Sequence, residues 1–566
     1  MLIEMEMETA PRRNPWLWVP SLYFSQGIPY VIVMTMSVIM YKRLGISNTD
    51  IALYTSWLYL PWVLKPLWSP LVDITRTKRF WVVTMQFLVA AGLAAVAFSV
   101  PAGGFFRLSL GLFWVMAFAS ATHDIAADGF YMLSLSQHEQ AWWVGLRSTF
   151  YRTAMIVGSG LLVVLAGVLE SRNGLPPLEL TVRAVEPGTK EKAGAPPATP
   201  AAAQQGELHL IAQPPALEIP LTDAGASSSN TGAIFLTLSR PPEGNRAVTV
   251  NVDRKMSGLE YFGLGKGDKG VRLLEGGRLV FAASNWNTPA AVAFAVDAKL
   301  RRETTARFIA TSGNVPLAWS ITLFAVAGLF LLFSLWHSFI LPRPAGDGPV
   351  VTGRDMTAEF FATFGSFFRK PGVLMAVGFI LLYRFDEAQL SKVISPFLLD
   401  SRAAGGLGLT TSQVGLAYGA FGIAALTCGG LLGGFTAAKY GLKTMLPIMV
   451  CSMYLPKLAF VFLSYTQPEN FLVVCGSVAV EQFGYGFGFT AFMLYMLWFA
   501  DGPHKTAHYA ICTGFMALGM MIPGMWSGWV ADRAGYRHFF IWVICSALPG
   551  LTLALLLKVD PQFGRK

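Results

Sequence analysis

Acidic side chains lie within one of the most apolar parts of the sequence, the segment ATHDIAADGF at residues 121–130. Asp124 and Asp128 are four residues apart, so a helix places both carboxylates on one face. On an antiparallel helix that follows, Arg152 and Arg147 fall at matching depths, because the position numbers of the two pairs have nearly the same sum. We therefore expect the ion pairs Asp124–Arg152 and Asp128–Arg147.

Two interpretations of these charges remain open. In the first, the ion pairs only fasten neighbouring helices. In the second, they line a water-filled cavity and handle a substrate or protons, because ionisable residues inside a membrane usually mark such a pathway. His123 suits either the cavity or a hydrogen-bonded packing role. A hydrolase with Asp124 and Asp128 as its acid dyad is disfavoured, because arginine partners favour two ionised carboxylates over a shared proton.

Further charges interrupt the apolar segments of the second half of the sequence. In LLYRFDEAQLSKV, Arg384 and Glu387 are three residues apart and can neutralise each other on a helix, whereas Asp386 points elsewhere and is expected to have no such partner. Glu481 is followed by Gln482 in a glycine-rich apolar segment. We expect a cavity role for Arg384 and Gln482, and a proton-coupling role for at least one acid of the set Asp124, Asp386, Glu387 and Glu481. Lys392 is expected at the outer rim.

Aromatic and amide side chains lie beside helix-bending glycine and proline residues near the N-terminus. The residues are Tyr23, Gln26, Tyr30 and Trp57. Aromatic faces with amide donors suit sugar rings, but tryptophan and tyrosine also populate membrane interfaces. Lys65 can either extend to the membrane surface or meet an acidic ligand.

The elements that position these residues are predicted to be membrane-spanning helices. The chain has 566 residues, of which 54% are hydrophobic and 13% charged, whereas soluble proteins have about 25% charged residues. A span needs about 20 mostly apolar residues. About twelve segments qualify, at residues 16–41, 50–72, 80–101, 107–134, 143–169, 314–341, 371–397, 412–437, 443–465, 470–499, 506–530 and 537–558.

The positive charge of the chain predicts its orientation. The net charge is +10, but the basic residues cluster in short loops and form no single stripe, so we expect no nucleic-acid partner. Most of them fall on one side of the predicted spans, which places both termini in the cytoplasm. The first span lacks a cleavage site and is interpreted as retained. The five cysteines show neither disulfide nor metal-ligand spacing.

Two polar stretches interrupt the spans. The first lies outside the cytoplasm, opening with a flexible linker at 187–206 and continuing in short alternating runs that indicate a β-sandwich. The second contains a phenylalanine-rich amphipathic helix expected on the inner membrane surface. The predicted domains are 15–170 (helices 1–5), 171–313 (insert), 314–341 (helix 6), 342–370 (cytoplasmic linker) and 371–558 (helices 7–12).

The insert resembles the Calx-beta family over about 80 residues, through its ending RLVFAASNWNTPAAVAFAVDA. Members of that family can bind calcium through clustered acids. Here Asp297 is followed by Ala298 where the family has an acid pair, so we expect no metal in this insert. Its ligand is left open.

The membrane segments resemble the AmpG-type muropeptide permeases of the major facilitator superfamily. The motifs LYFSQGIPY, LPWVLKPLWSPLVD, ATHDIAADGF and GMWSGWVADRAGYRHFF carry this resemblance, which does not extend to the insert. It implies two six-helix bundles that import anhydro-muropeptides with protons across the bacterial inner membrane by alternating access, with no cofactor and no enzymatic activity. The superfamily's Gly-x-x-x-Asp-Arg-x-Gly signature is complete only at Gly528, Asp532, Arg533 and Gly535, on the side opposite to the usual one.

Alternative functions remain open at this stage. The acetyl-coenzyme A transporters are distant relatives, but the mixed charges of the predicted cavity suit a ligand with a sugar and a zwitterionic peptide better than a strongly anionic one. A sugar transporter is a further alternative. A membrane receptor whose β-domain binds a periplasmic ligand is another, and it predicts that deletion of residues 175–310 abolishes function.

Overall fold

The computed structural model describes residues 13–135, 137–172, 174–186, 206–221, 230–242, 248–255, 270–298, 300–344, 346–348, 356–501 and 505–559. Among these residues, nine helices are long and apolar enough to cross a membrane. The chain is therefore an α-helical membrane protein with a β-rich insert. The count of twelve spans stays a prediction, as does the flexible linker at 187–206, of which residues 187–205 lie outside the described part.

The first half of the bundle contains eight helices. They are α1 (Pro15–Arg43), α2 (Asn48–Trp57), α3 (Leu60–Thr75), α4 (Lys78–Ser99), α5 (Phe105–Ser134), α6 (Gln137–Ile156), α7 (Leu162–Arg172) and α8 (Val315–Ile340). A short turn at Leu58 and Tyr59 separates α2 from α3, just before Pro61. A π-helical turn, Val157–Leu161, joins α6 to α7. The segment predicted at 50–72 is thus broken near its middle, whereas the one predicted at 143–169 continues through the π-helical turn.

The second half of the bundle includes the linker helix as its first helix. Its helices are α9 (Met356–Phe368), α10 (Val373–Leu382), α11 (Phe385–Leu399), α12 (Thr411–Tyr440), α13 (Leu442–Tyr454), α14 (Leu458–Thr466), α15 (Phe471–Ala500), α16 (Lys505–Ser546) and α17 (Leu548–Leu556). Non-helical Arg384 separates α10 from α11. Gly535 kinks α16 with a φ of +73°, a left-handed conformation that glycine adopts without a Cβ clash.

The insert is a β-sandwich of two sheets. Its strands are β1 (Leu178–Val185), β2 (Leu210–Gln213), β3 (Ala216–Pro220), β4 (Thr231–Leu238), β5 (Val248–Arg254), β6 (Val271–Glu275), β7 (Arg278–Phe281), β8 (Ala290–Val296) and β9 (Thr304–Gly313). The sheet orders are β3-β1-β9-β5-β7 and β2-β4-β8-β6. Both inner faces contribute to one apolar core, with Val182 and Phe308 from one sheet and Leu236 and Phe294 from the other. The predicted β-sandwich is confirmed, and β1, β3 and β6 are strands that the alternating pattern did not reveal.

The insert packs closely against the first half at the start of α8. Strand β9 ends at Gly313, and Asn314 caps α8 by accepting a hydrogen bond from the backbone N–H of Leu317. A Cβ on Gly313 would overlap the backbone of Glu170 at the end of α7, so only glycine allows this approach. We call this end of the bundle the insert end, and the opposite one the linker end.

Apolar packing differs between the two ends. At the insert end, one cluster spans both halves and includes Tyr41 and Ile51 of the first half and Phe397 and Phe540 of the second. Toward the linker end, separate clusters lie within each half, one around Phe130 and Leu22, the other around the C-terminal helices. The halves are therefore sealed together by apolar packing at the insert end.

The amphipathic linker helix is present as α9. Phe367 is fully buried and its ring packs against Phe499 and Phe515 of the second half. Phe361 is largely exposed. The side chain of Phe360, which the sequence placed on the same face, lies outside the described residues.

Candidate functional site

Asp124 on α5 is bound by two side chains of the first half. Its carboxylate contacts the ammonium of Lys65 at 3.2 Å and accepts a hydrogen bond of 2.6 Å from the amide of Gln26. The predicted pair with Arg152 is wrong. The Arg152 side chain extends instead to the second half and donates to the carbonyl oxygen of Thr427 at 3.5 Å, because α6 packs against α12 there. Lys65, for which the sequence left two roles open, is the cation that neutralises Asp124.

The second predicted pair is confirmed. The guanidinium of Arg147 lies 3.5 Å from the carboxylate of Asp128, and the hydroxyl of Tyr23 lies within hydrogen-bond distance of both groups. The guanidinium also packs on the rings of Tyr23 and Tyr131 at 5.2 and 4.8 Å from their centroids.

These two acid–base pairs are accessible to solvent. The side chain of Asp128 is 45% exposed and that of Arg147 31%, while Lys65 and Asp124 keep 29% and 18%. Charged groups with that exposure within an apolar bundle require water rather than lipid. These exposures favour the expected wet crevice in the first half, toward the linker end, which stays a prediction.

His123 lies in a buried hydrogen-bonded chain away from this crevice. Its Nε2 is 3.0 Å from the amide nitrogen of Gln86, whose oxygen is 2.8 Å from Nδ1 of His337. His337 in turn contacts the hydroxyl of Ser21. This chain links four helices, so the geometry suits the packing interpretation of His123.

A polar cavity of about 110 Å³ lies between the two halves. Tyr30 and Tyr59 contribute from the first half, and Arg384, Glu387 and Gln482 from the second. The predicted cavity residues Tyr30, Arg384 and Gln482 therefore meet there, beside the predicted proton-coupling residue Glu387. Tyr418 and Tyr485 complete the aromatic part of the lining. Trp57 is not part of the lining and is 41% exposed, because α2 ends at this residue and Tyr59 takes the inward position after the turn.

Arg384 is held by aromatic groups rather than by Glu387. Its guanidinium donates a 2.6 Å hydrogen bond to the hydroxyl of Tyr485 and packs on the rings of Tyr485 and Phe489. The expected local neutralisation between Arg384 and Glu387 therefore involves no direct ion pair.

A buried lysine that the sequence analysis missed neutralises the acids of α11. The ammonium of Lys457 contacts the carboxylate of Asp386 and lies 3.3 Å from that of Glu387. The expectation that Asp386 has no partner is wrong, because the break between α13 and α14 turns Lys457 inward. A lysine in the predicted span YLPKLAF was the signal that could have revealed it.

Glu481 lies in the same buried region without a cation in contact. Its Oε2 accepts a 2.8 Å hydrogen bond from the amide of Gln482, and its Oε1 has no hydrogen-bond partner. Asp386 and Glu481 are sealed from solvent, unlike Asp124. The expected wet crevice therefore does not reach these two acids in this conformation, whereas their neighbours Glu387 and Gln482 do line the cavity.

One ion pair and hydrogen bonds to charged groups close the insert end across the two halves. The ammonium of Lys42 lies 2.7 Å from the carboxylate of Asp400, which also accepts a hydrogen bond from Tyr536. Glu170 binds Arg43 at 2.9 Å within the first half and accepts a 2.7 Å hydrogen bond from the hydroxyl of Thr411 in the second. These contacts join α1 and α7 to the start of α12 and the end of α11.

The Gly-x-x-x-Asp-Arg-x-Gly motif also forms contacts between the two halves at the insert end. Asp532 accepts hydrogen bonds from the side chain of Asn48 at 2.9 Å and from the backbone N–H of Thr49 at 3.1 Å. A carboxylate at this position caps α2 and interacts favourably with its N-terminal dipole. Gly528 lies against the backbone of Asn48, where a Cβ would clash. The motif therefore locks the second half onto α2.

The insert contacts both halves beside this closure. Arg278 of β7 donates to the carbonyl oxygen of Arg43 at 3.3 Å, and the Arg272 side chain lies 3.8 Å from the carboxylate of Glu469, in the second half. Arg272 also pairs with Asp297 at 2.7 Å, so the acid of the Calx-beta-like ending has an arginine partner. The expectation that the insert binds no calcium remains a prediction, and so does its resemblance to the Calx-beta family.

Comparisons with known proteins agree with this architecture. Residues 26–185 match the BT1 family. A transporter of Rickettsia typhi named AmpG 2 is 29% identical over 199 residues, which cover 35% of this chain and 47% of that protein. The anhydromuropeptide permease of Escherichia coli K12 is 22% identical over 249 residues, covering 44% of this chain and 49% of the permease. The chain thus spans about half the length of these relatives.

Solved transporters share the fold along the whole chain. The nucleoside transporter NupG has a TM-score of 0.54 at 12% identity, with 97% of this chain and 100% of NupG covered. A bacterial homologue of the human lysosomal transporter Spinster has a TM-score of 0.55 at 13% identity, with 97% of both chains covered. The bundle and its interior charges therefore define a multi-pass membrane protein with the fold of the major facilitator transporters. Within that class the chain is similar to AmpG-type permeases over part of its length, which confirms the resemblance drawn from its motifs.

Proposed function

We propose that this protein is a proton-coupled transporter that imports anhydro-muropeptides across the bacterial inner membrane by alternating access. The observation that supports proton coupling is the buried acid Glu481. Among the described residues no cation contacts its carboxylate, and its Oε1 has no hydrogen-bond partner, whereas Lys457 pairs with Asp386 and Glu387. An ionised carboxylate in such a site is costly, and one proton on Glu481 removes its charge.

Alternating access is supported by the asymmetry of the two ends. The halves are joined by ion pairs and apolar packing at the insert end, while Asp124 and Asp128 face solvent toward the linker end. This arrangement corresponds to one state of a two-state carrier. Protonation of Glu481 would lower the cost of exposing and reburying the cavity region during the change of state.

The substrate class is supported by the chemistry of the cavity. Four tyrosines offer apolar faces to sugar rings, and Arg384, Glu387 and Gln482 offer both charges and an amide to a zwitterionic peptide. The cavity volume of about 110 Å³ is far below that of ligand sites, which hold roughly 300–1,000 Å³. The conformation described is therefore one without room for a disaccharide-peptide, and binding requires the cavity to widen.

The charge distribution supports an orientation with both termini in the cytoplasm and the insert in the periplasm. Arg76, Arg79 and Arg343 belong to the linker end, and basic residues favour the cytoplasmic side. Cysteines placed at Glu218 in the insert and at Lys439 at the linker end test this orientation. An impermeant thiol reagent added to intact cells should label position 218 and spare position 439, and the reverse pattern would invert the topology.

The decisive experiment is uptake of labelled anhydro-muropeptide into proteoliposomes, with and without an inward proton gradient. We expect the gradient to drive accumulation. The variant Glu481→Gln should lose this accumulation but keep exchange of labelled for unlabelled substrate, because exchange needs no net proton movement. Glu218→Gln, in the insert, serves as the matched control. Uptake that ignores the gradient would refute proton coupling, and absence of uptake by the unmodified protein would refute the substrate.

A further inference from the structure

Lys392 is a buried lysine that contacts no acidic side chain among the residues that the structure describes. Its side chain on α11 is 2% exposed, and its ammonium donates a 2.9 Å hydrogen bond to the hydroxyl of Thr55 on α2. The ammonium also lies 5.3 Å from the ring centroid of Tyr59. By contrast, Lys42, Lys65 and Lys457 each contact a carboxylate. The expectation that Lys392 belongs to an outer rim is therefore wrong, because α11 packs against α2 and α16 at this point.

The partners of Lys392 belong to the opposite half of the bundle. Thr55 and Tyr59 lie in the first half, whereas Lys392 is in the second. Gly524 of α16 packs in the same place, where a Cβ would meet both Ser56 and the Lys392 side chain. The ammonium is thus enclosed only while the halves stay together at the insert end.

Lys392 also lies directly beside the cavity. Tyr59, which packs on the ammonium, is part of the cavity lining, and so are Ser391 and Ser395 on the same helix. Helical spacing puts Lys392 next to the stripe formed by Glu387, Ser391 and Ser395, turned by about 100° from Ser391. Movement of α2 away from α11 would remove Tyr59 and join Lys392 to the cavity wall.

We propose that Lys392 binds a carboxylate of the substrate in the state that is open at the insert end. This inference rests on the proposed transport function and names a specificity residue for it. When the halves separate, the ammonium loses the Thr55 hydroxyl and the Tyr59 ring, and no described acid of its own half contacts it. A substrate carboxylate supplies the missing counter-charge, and charge-assisted hydrogen bonds are the stronger ones in proteins. Arg384 also offers a cation to the cavity, but Tyr485 and Phe489 of its own half hold its guanidinium, so separation of the halves does not leave it without partners.

A purely structural role explains Lys392 less well. Well-packed apolar side chains stabilise a static interface at least as well as buried ions do. The seal at the insert end is already formed by an apolar cluster and by the Lys42–Asp400 pair. The cationic group therefore points to a ligand in the other state of the carrier.

The test combines a protein change with a ligand change. Proteoliposomes containing the full-length protein are assayed for uptake of anhydro-muropeptide with free peptide carboxylates and of its fully amidated form. In the unmodified protein, amidation should raise KM about tenfold. This factor corresponds to the lower values found for the free energy of a hydrogen bond to a charged group. Lys392→Met should raise KM for the free acid by the same factor and should show no further loss with the amidated ligand. Lys392→Arg should restore part of the preference for the free acid.

The outcomes separate the possible failures. Equal KM values for both ligands in the unmodified protein, or additive effects of Lys392→Met and amidation, would overturn the role of Lys392. Absence of uptake of both ligands by the unmodified protein would instead overturn the proposed function. If Lys392→Met does not fold, as judged by its apparent Tm in detergent, the ligand preference of Lys392→Arg and Lys392→Gln decides the question. A preference retained in full by Lys392→Gln would contradict the proposal.

Discussion

Lys42 of the first half and Asp400 of the second form an ion pair of 2.7 Å across the insert end. The pair is mostly buried, and Asp400 is also bound by Tyr536. Because its members lie in different halves, the pair exists only while the insert end is closed. It is therefore a direct link between an electrostatic contact and the conformational state of the bundle.

Removal of this contact should open the insert end. For Asp400→Asn we expect the ratio of open to closed molecules to rise about tenfold, as a partly buried ion pair of 1–2 kcal/mol predicts. Spin labels at Asp50 and Ala403 can measure the distance across the end. The swap Lys42→Asp with Asp400→Lys should restore the closed distribution, and an unchanged distribution in Asp400→Asn would contradict the role of this pair.

Lys457 should be essential for stability. The change Lys457→Met leaves the buried carboxylates of Asp386 and Glu387 without their cation, which should cost about 3–5 kcal/mol. Thermal unfolding in detergent should show a large fall in apparent Tm. Adding Asp386→Leu should recover part of it, because one buried charge is then absent. Lys439→Met, at the linker end of α12, is the control, and an equal fall in this variant would argue against a specific effect.

The halves also meet through glycine. A Cβ on Gly419 of α12 would overlap the backbone of Gly160 in the π-helical turn after α6, so no side chain fits between them. Gly419→Ala should therefore separate the halves here and destabilise the protein by about 1–3 kcal/mol, as overpacking does. Gly434→Ala on the same helix faces open space and should leave the apparent Tm unchanged. Equal stability of both variants would show that the close approach is dispensable.

The insert should respond to pH through Asp253 on β5. Burial raises the pKa of this carboxyl to about 6, opposed by nearby Arg43. Between about pH 4 and 6 the folded state then holds more protons than the unfolded one, so the stability of the insert falls as pH rises through this range. Its full contribution is present only below about pH 4.

Asp253→Asn should remove this pH dependence. We expect the variant to be more stable than the unmodified protein by about 1–2 kcal/mol at pH 7.5. This value is smaller than the full free-energy equivalent of the pKa shift, because solvent screens the charge of the partly exposed carboxylate. At pH 4 the two should be equally stable. Hydrogen exchange of the insert strands, measured across this pH range, reads out the effect locally. Parallel pH profiles for both proteins would contradict it.

Local rules explain which features were predictable from the sequence. Apolar runs and loop charges follow from the cost of placing polar backbone and charged groups in lipid, and alternation in the insert follows from the two-residue period of strands. The pair Asp128–Arg147 could also be predicted from the sequence. In two antiparallel helices that follow each other in the chain, residues at equal depth have position numbers with a constant sum.

Features that join distant segments were not accessible in this way. The partner of Asp124 is Lys65 rather than Arg152, and the partner of Asp386 is Lys457, because helices distant in sequence pack side by side. Because of the turn at Leu58, Tyr59 lines the cavity in place of the predicted Trp57. A periodic pattern shows which face of a helix is polar, but not which helix it meets.

The sequence by itself determined the class of this protein, its helical and β-rich segments and the acids that interrupt its apolar spans, because each depends on residues close together in the chain. Only the tertiary structure decided which cation serves each acid, which end of the bundle is closed and where Lys392 lies without an acid. Those properties depend on how separate helices pack, and the free energy of that packing is set by contacts between residues hundreds of positions apart.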